Sequence, residues 1–206
     1  MRGRPFRVGA AVAAAILCGM PAGAQNLIPN GSFPSLFMLD GWEPYSGATW
    51  SAIDIDELAN SGSFRVPRTN IGGDGPVSGC LPIEENMRYR VGGSALWIDA
   101  ESVSGSVQLR LSFFQGSACD GFPSGNGGTG VQAIEADSWH RIQALADSSA
   151  GERSAKLDLW GWRTPESGTF VAYFDDLELV PVPEPNANAA ALLALAGLAV
   201  TRRMSG

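Results

Sequence analysis

The 206-residue chain predicts an all-β fold, a β-sandwich or jelly roll, and three observations carry that expectation. Segments of strict apolar/polar alternation recur through its middle. Glycine- and proline-rich stretches separate them. No segment between residues 26 and 185 shows the 3.6-residue apolar period of a helix.

The elements follow in chain order. Arg2, Arg4 and Arg7 precede an apolar run from Val8 to Leu17, and Ala22-Gly23-Ala24 offers the small residues that a signal peptidase requires. Residues 1–24 therefore read as a signal peptide cut after Ala24. The apolar run is far shorter than the roughly 20 residues that span a bilayer, which argues against a retained anchor. Cys18 would leave with the signal; Leu17 before it is too large for a lipoprotein cleavage site.

Residues 25–180 form the predicted domain. In "GSVQLRLSFFQ" at 105–115, Val107, Leu109, Leu111 and Phe113 alternate with Gln108, Arg110, Ser112 and Phe114, a strand with one face in a core. "AKLDLWGW" at 155–162 sets Leu157 and Leu159 against Lys156, Asp158, Trp160 and Trp162. "SALWIDA" at 94–100 sets Leu96 and Ile98 against Trp97 and Asp99. The runs "TNIGGDGPVSG" at 69–79 and "CDGFPSGNGGTG" at 119–130 are turn-rich connections, because glycine relaxes the backbone and proline stops pairing. "VQAIEADSWHRI" at 131–142 reads as a loop feeding a strand.

Charge and cysteine count narrow the function. Residues 25–185 hold nine of the 14 basic residues and all 21 acidic ones, a net charge of 9 − 21 = −12. Nucleic acid and anionic lipid are poor partners for such a surface, whereas neutral sugars and calcium are compatible with it. Cys80 and Cys119 remain after export, and an even count in an exported chain predicts a disulfide, with two separate buried thiols as the alternative.

Sugar recognition in water needs aromatic faces for ring C–H surfaces and planar polar groups for hydroxyls. Trp50, Trp97, Trp160 and Trp162 all fall opposite the aliphatic side of their strands, and Gln108 and Arg110 line a similar face. They are the candidate ligand-binding residues; core packing is the alternative for each tryptophan, and Trp42 and Trp139 read as packing. Catalysis is poorly supplied. His140 is the only histidine, there is no Gly-x-Ser-x-Gly elbow, and "GNGGTG" lacks the Lys-Ser/Thr of a phosphate loop. A glycosidase would need two carboxylates across a cleft, and no pair, Asp99 with Asp158 included, is singled out.

Five stretches together, "NLIPNGSF", "DGWEPYSGATWS", "SGCLPIEENMRYRVGGSALWID", "DSWHRIQA" and "FVAYFDDLELV", resemble the carbohydrate-binding modules of the galactose-binding-like jelly-roll superfamily, in the family's order. The resemblance implies a sugar-binding sandwich, and the placement of Cys80 and Cys119 is similar to that of secreted bacterial members. It also implies a structural calcium held by Asp175 or Asp176 and by carbonyls around Asn30. Pro34 stands where the family places a glutamate ligand, which weakens that expectation.

The tail, 181–206, has its own pattern. Pro183-Glu184-Pro185 is held extended, Ala189 to Val200 is unbroken by polar side chains, and Arg202 and Arg203 follow as a cytoplasmic stop. A helix apolar all round has no polar face to turn to water. The order resembles the PEP-CTERM sorting signal, which implies exosortase as a partner, transient anchoring in the inner membrane through this helix, and release or display outside the cell. The combined expectation is an exported, non-catalytic carbohydrate-binding protein tied to extracellular polysaccharide or biofilm matrix. A structural or adhesive matrix protein without glycan binding is the alternative, and a small glycoside hydrolase the third.

Overall fold

A computed structural model describes residues 25–35, 38–70, 72–164 and 167–183. The expected signal at 1–24 and the tail from Glu184 onward, with Pro185, the expected apolar helix, Arg202 and Arg203, lie outside the described residues. Among the described residues no helix is long and apolar enough to cross a membrane.

Two antiparallel sheets face each other. The first has the order β1 (Thr49–Ser51), β2 (Ser63–Arg68), β11 (Phe170–Val182), β5 (Arg88–Leu96) and β9 (His140–Asp147). The second has the order β3 (Gly72–Asp74), β10 (Glu152–Arg163), β6 (Gly105–Gln115) and β7 (Gly125–Gly128), with β4 (Leu81–Pro82) also on β10 and β8 (Gln132–Ala133) also on β6. The only helical turn among the described residues is a 3-10 turn at Asp99–Glu101. Strand β11 runs through the expected domain boundary at residue 180 and ends at Val182.

The core forms where alternation demands. Val107, Leu109 and Leu111 of β6 and Leu157 and Leu159 of β10 are fully buried, in one core cluster with inner residues of the first sheet, among them Phe64, Val66, Val91, Ala172 and Phe174. Burying each leucine or valine contributes about 1.5–3 kcal/mol. The two long strands pair in one register from Ser154↔Phe114 to Arg163↔Gly105.

On β11 the alternation is interrupted and restored. Phe174 points inward, yet so do Leu177 and Leu179, three and five residues on. A bulge between Asp175 and Glu178, with Asp176 at φ 49°, inserts the extra residue that brings these leucines back to the core face. The paired aspartates of "FDD" are thus where the last strand changes phase.

The outer face of the first sheet carries a second, smaller apolar cluster. Leu96, Val171 and Tyr173 are buried there under Ile53, Ile98 and Trp139. This overturns one expectation. Trp97 does alternate with Leu96 and Ile98, but it is Trp97 that points inward, 8% exposed, packed on Phe170 and donating its indole N–H to the Ile134 carbonyl at 2.9 Å. Alternation sets a period, and the aliphatic side found its cover in loops instead of in the sandwich core.

Cys80 and Cys119 form the expected disulfide.

Candidate functional site

The site is built on the outer face of the second sheet. Because Leu157 and Leu159 point inward, Lys156, Asp158, Trp160 and Trp162 point outward, and on β6 the same logic turns Gln108, Arg110, Ser112 and Phe114 outward. The antiparallel register then sets Trp162 opposite Ser106, Trp160 opposite Gln108, Asp158 opposite Arg110 and Lys156 opposite Ser112. Both indoles are half-buried, with ring centroids 5.4 Å apart and planes inclined by 50°. They form an angled wall.

Arg110 lies against that wall, its guanidinium carbon 4.9 Å from the centre of the Trp160 ring. Such a contact restrains the arginine and orients its remaining N–H groups. One of them reaches Asn126 Oδ1 of β7 at 3.4 Å, and the Ser112 hydroxyl donates to the same oxygen at 3.4 Å. On the other flank Lys156 donates to Glu43. A polar band, Glu43, Lys156, Asp158, Arg110, Ser112 and Asn126, therefore crosses the sheet beside the tryptophans. Burial pushes the Asp158 carboxyl up to about 6, with Arg110 and Lys156 pulling it back only in part. The floor of the site thus holds a carboxyl that is neutral in mildly acidic water and charged above it.

Gly73 makes the tryptophan wall possible. It pairs with Trp162, and a Cβ built there would stand 2.3 Å from Trp162 Cε2 and 2.6 Å from Trp160 Cε3. Only a bare backbone lets both rings lie down across the edge of the sheet. Arg68, 8% exposed, holds this edge from below through the Tyr45 hydroxyl and through Asp74 at 3.3 Å. The stretch 72–75, expected as part of a turn-rich connection, instead contributes the edge strand β3; in the sequence its only sign is two adjacent glycines, Gly72 and Gly73.

Of the six sequence-predicted ligand residues, the structure brings together Gln108, Arg110, Trp160 and Trp162. Trp97 is inside the sandwich. Trp50 lies on β1 of the other sheet, packs against the core and donates its N–H to the Phe33 carbonyl at 2.8 Å. Of Asp99 and Asp158, weighed as a glycosidase pair, Asp99 opens the 3-10 turn that follows β5 of the first sheet, whereas Asp158 lies on β10 of the second. His140 pairs its ring with the Ser138 hydroxyl at 3.0 Å.

The residues expected to hold calcium fall into two groups. Asn30, 7% exposed, donates its amide to the Met38 and Asp40 carbonyls, while its Oδ1 is buried and unpartnered. Asp175, fully buried, instead faces Asp54 and accepts from the backbone N–H groups of Ile55 at 3.2 Å and Asp176 at 2.7 Å. Burial, then the neighbouring Asp54, pushes the Asp175 carboxyl up to about 8. Burial alone would raise Asp54 too, but hydrogen bonds from Asp175, the Leu58 N–H and Ser61 outweigh it and leave Asp54 below the usual carboxylate range. Asp54 Oδ1 has no N–H or hydroxyl partner. Two buried carboxyls side by side need a shared proton or a cation between them. Among the described residues no group of three or more His, Cys, Asp or Glu side chains is arranged around a metal position.

The chain matches no family model, and no curated protein is similar in sequence. Solved structures of similar shape exist. The CBM22-1 xylan-binding domain of Xyn10C from Paenibacillus barcinonensis is 12% identical with a TM-score of 0.54, over 79% of this chain and 98% of that one. The CBM22-1–GH10 portion of Clostridium thermocellum endo-1,4-β-D-xylanase 10B, solved with xylohexaose, is 12% identical with a TM-score of 0.55 over 77% of this chain, which spans only 29% of the xylanase chain. The arabinose-bound MgGH51 α-L-arabinofuranosidase is 18% identical with a TM-score of 0.56, over 79% of this chain and 27% of that one. At these identities the likeness is one of fold, and the fold is the jelly-roll β-sandwich of carbohydrate-binding modules.

Proposed function

We propose that the domain is a non-catalytic carbohydrate-binding module that holds a polysaccharide on the outer face of its second sheet. The observation that carries the reading is the tryptophan wall of Trp160 and Trp162 standing beside the polar band of Arg110, Asp158 and Asn126. Sugar rings would lay their C–H faces on the indoles, and Arg110, Asp158, Gln108 and Asn126 would hydrogen-bond their hydroxyls. That xylan-binding domains share the fold supports xylan as the first glycan to try.

Affinity electrophoresis in soluble xylan, followed by an array of plant and bacterial glycans, tests the proposal. Trp160→Ala is expected to weaken binding about 10- to 100-fold, because it removes both a stacking face and the seat of Arg110. Failure of the unaltered protein on every glycan would overturn the reading in favour of a structural or adhesive matrix role.

Calcium belongs to the same proposal. A hard cation beside Asp54 and Asp175 would take up the unpartnered Asp54 oxygen and remove the need for a buried proton. Its chemistry there is structural, tying the loop at 52–61 to the last strand. Millimolar calcium is expected to raise the melting temperature by several degrees relative to chelator; identical melts would discard it.

The export route rests on the sequence pattern. The signal at 1–24 and the Pro-Glu-Pro, apolar helix and arginine order at 183–203 support delivery across the inner membrane, transient anchoring and processing by an exosortase. A module displayed outside the cell would meet extracellular polysaccharide.

A further inference from the structure

Phe122 is 97% exposed, so it contributes nothing to the core. It stands in the 116–124 connection between β6 and β7, and that connection is firmly held. Cys119 is bonded to Cys80, and its N–H donates to the Ser154 hydroxyl at 3.0 Å. The Ser154 hydroxyl in turn donates to the Gly116 carbonyl at 3.0 Å. At the other end Ser124 donates its N–H to the Phe113 carbonyl and its hydroxyl to Glu152, itself only 3% exposed, both at 2.8 Å. Gly121, at φ 78°, turns the chain between these fastenings, next to Phe122. A loop clamped on both sides of a solvent-facing phenyl ring presents that ring.

The place of the loop relates it to the site. Phe114 alternates onto the same outer face as Arg110 and Ser112, yet it is only 6% exposed. Ser154, on that face of β10, holds the loop through Cys119. The loop therefore closes the Phe114/Ser154 end of the face that has the tryptophans at its other end. From Ser154 to Trp160 is six residues of extended strand, about 20 Å, roughly the length of four pyranose units. Lys156, Asp158, Arg110 and Ser112 fill the interval.

We infer that Phe122 is a second apolar contact for a long glycan chain lying along β10 and β6, at the end opposite Trp160 and Trp162, an inference that rests on the carbohydrate-binding reading. Short oligosaccharides engage the tryptophan end alone. Longer ones reach the clamped loop as well, so the site selects for chain length.

Calorimetric titration of the intact protein with xylotriose and with xylohexaose tests this. Phe122→Ala, which touches no core contact, is expected to weaken xylohexaose about three- to tenfold and to leave xylotriose unchanged. Removing the disulfide by reduction is expected to give the same pattern, because the ring is no longer presented. If Phe122→Ala binds xylohexaose as the unaltered protein does while Trp160→Ala loses it, the Phe122 contact is wrong and the site stands. Equal weakening of both lengths would also overturn it, by putting the ring beside the tryptophans. If the unaltered protein binds neither xylo-oligosaccharide, the same variants are titrated with three- and six-unit lengths of the glycan that the array selects, and the same outcomes decide; failure on every glycan overturns the carbohydrate-binding reading and this inference with it.

Discussion

Replacing Cys80 and Cys119 together with serine is expected to lower the melting temperature by about 10 °C. The bond closes a loop with a sequence separation of 39. On the chain-entropy model such a loop restricts the unfolded chain by about 4 kcal/mol, and a domain of this size loses about 2–4 °C per kcal/mol. The folded state loses contacts as well. Cys119 is buried against Ala155 and Ser154, and its partner Cys80 adjoins β4, the short strand that pairs with Ser154 and Ala155 of β10. The bridge thus ties together the two segments that flank one end of β10. Differential scanning calorimetry of oxidised, reduced and double-serine protein measures the effect. Coincident melts would show that packing alone holds this end of the sandwich.

Gly75→Ala is expected to cost about 3 kcal/mol and to abolish glycan binding with it. A Cβ on Gly75 would lie 1.6 Å from the Leu159 carbonyl oxygen and 2.6 Å from its carbon. Backbone is the obstacle, so no side-chain rotation relieves it. The chain at 72–78 must then lift from β10, breaking the hydrogen bond from the Leu159 N–H to the Pro76 carbonyl at 2.9 Å and the one from the Ser78 N–H to the Leu157 carbonyl at 2.8 Å. Gly73, which makes room for both indoles, lifts with it. Urea unfolding and xylan affinity, measured on the same preparation, check both halves. A variant of unaltered stability that still binds would mean that this edge strand does not shape the site.

Some of this was legible in the residues. A strand over 105–115 was expected and is β6 to the residue, because the eight alternating side chains from Val107 to Phe114 leave a strand no other phase. The disulfide followed from an even cysteine count in a chain expected to be exported. Trp160 and Trp162 were placed correctly on an outward face because their inward neighbours, Leu157 and Leu159, had no other apolar surface to meet.

Trp97 shows where that logic stops. Its neighbours Leu96 and Ile98 are as aliphatic as Leu157 and Leu159, yet they are covered on the far side of the first sheet by Ile53 and Trp139, which lie some 40 residues away in opposite directions along the chain. Which side of an alternating strand faces the core is decided by what the rest of the chain supplies as cover, and that is a long-range contact. The same holds for the site as a whole. Its ingredients are local, but Arg110 meets Trp160 only through the β6–β10 register, Gly73 meets both indoles only through an edge strand that pairs 89 residues away in sequence (Gly73↔Trp162), and Phe122 is presented only because a disulfide and two serines fasten its loop. Local alternation determined that the chain makes a two-faced β-sandwich. The tertiary pairing alone decided which face carries the aromatic wall, since hydrogen-bond register between distant strands is set by the packing of the whole core and not by either strand.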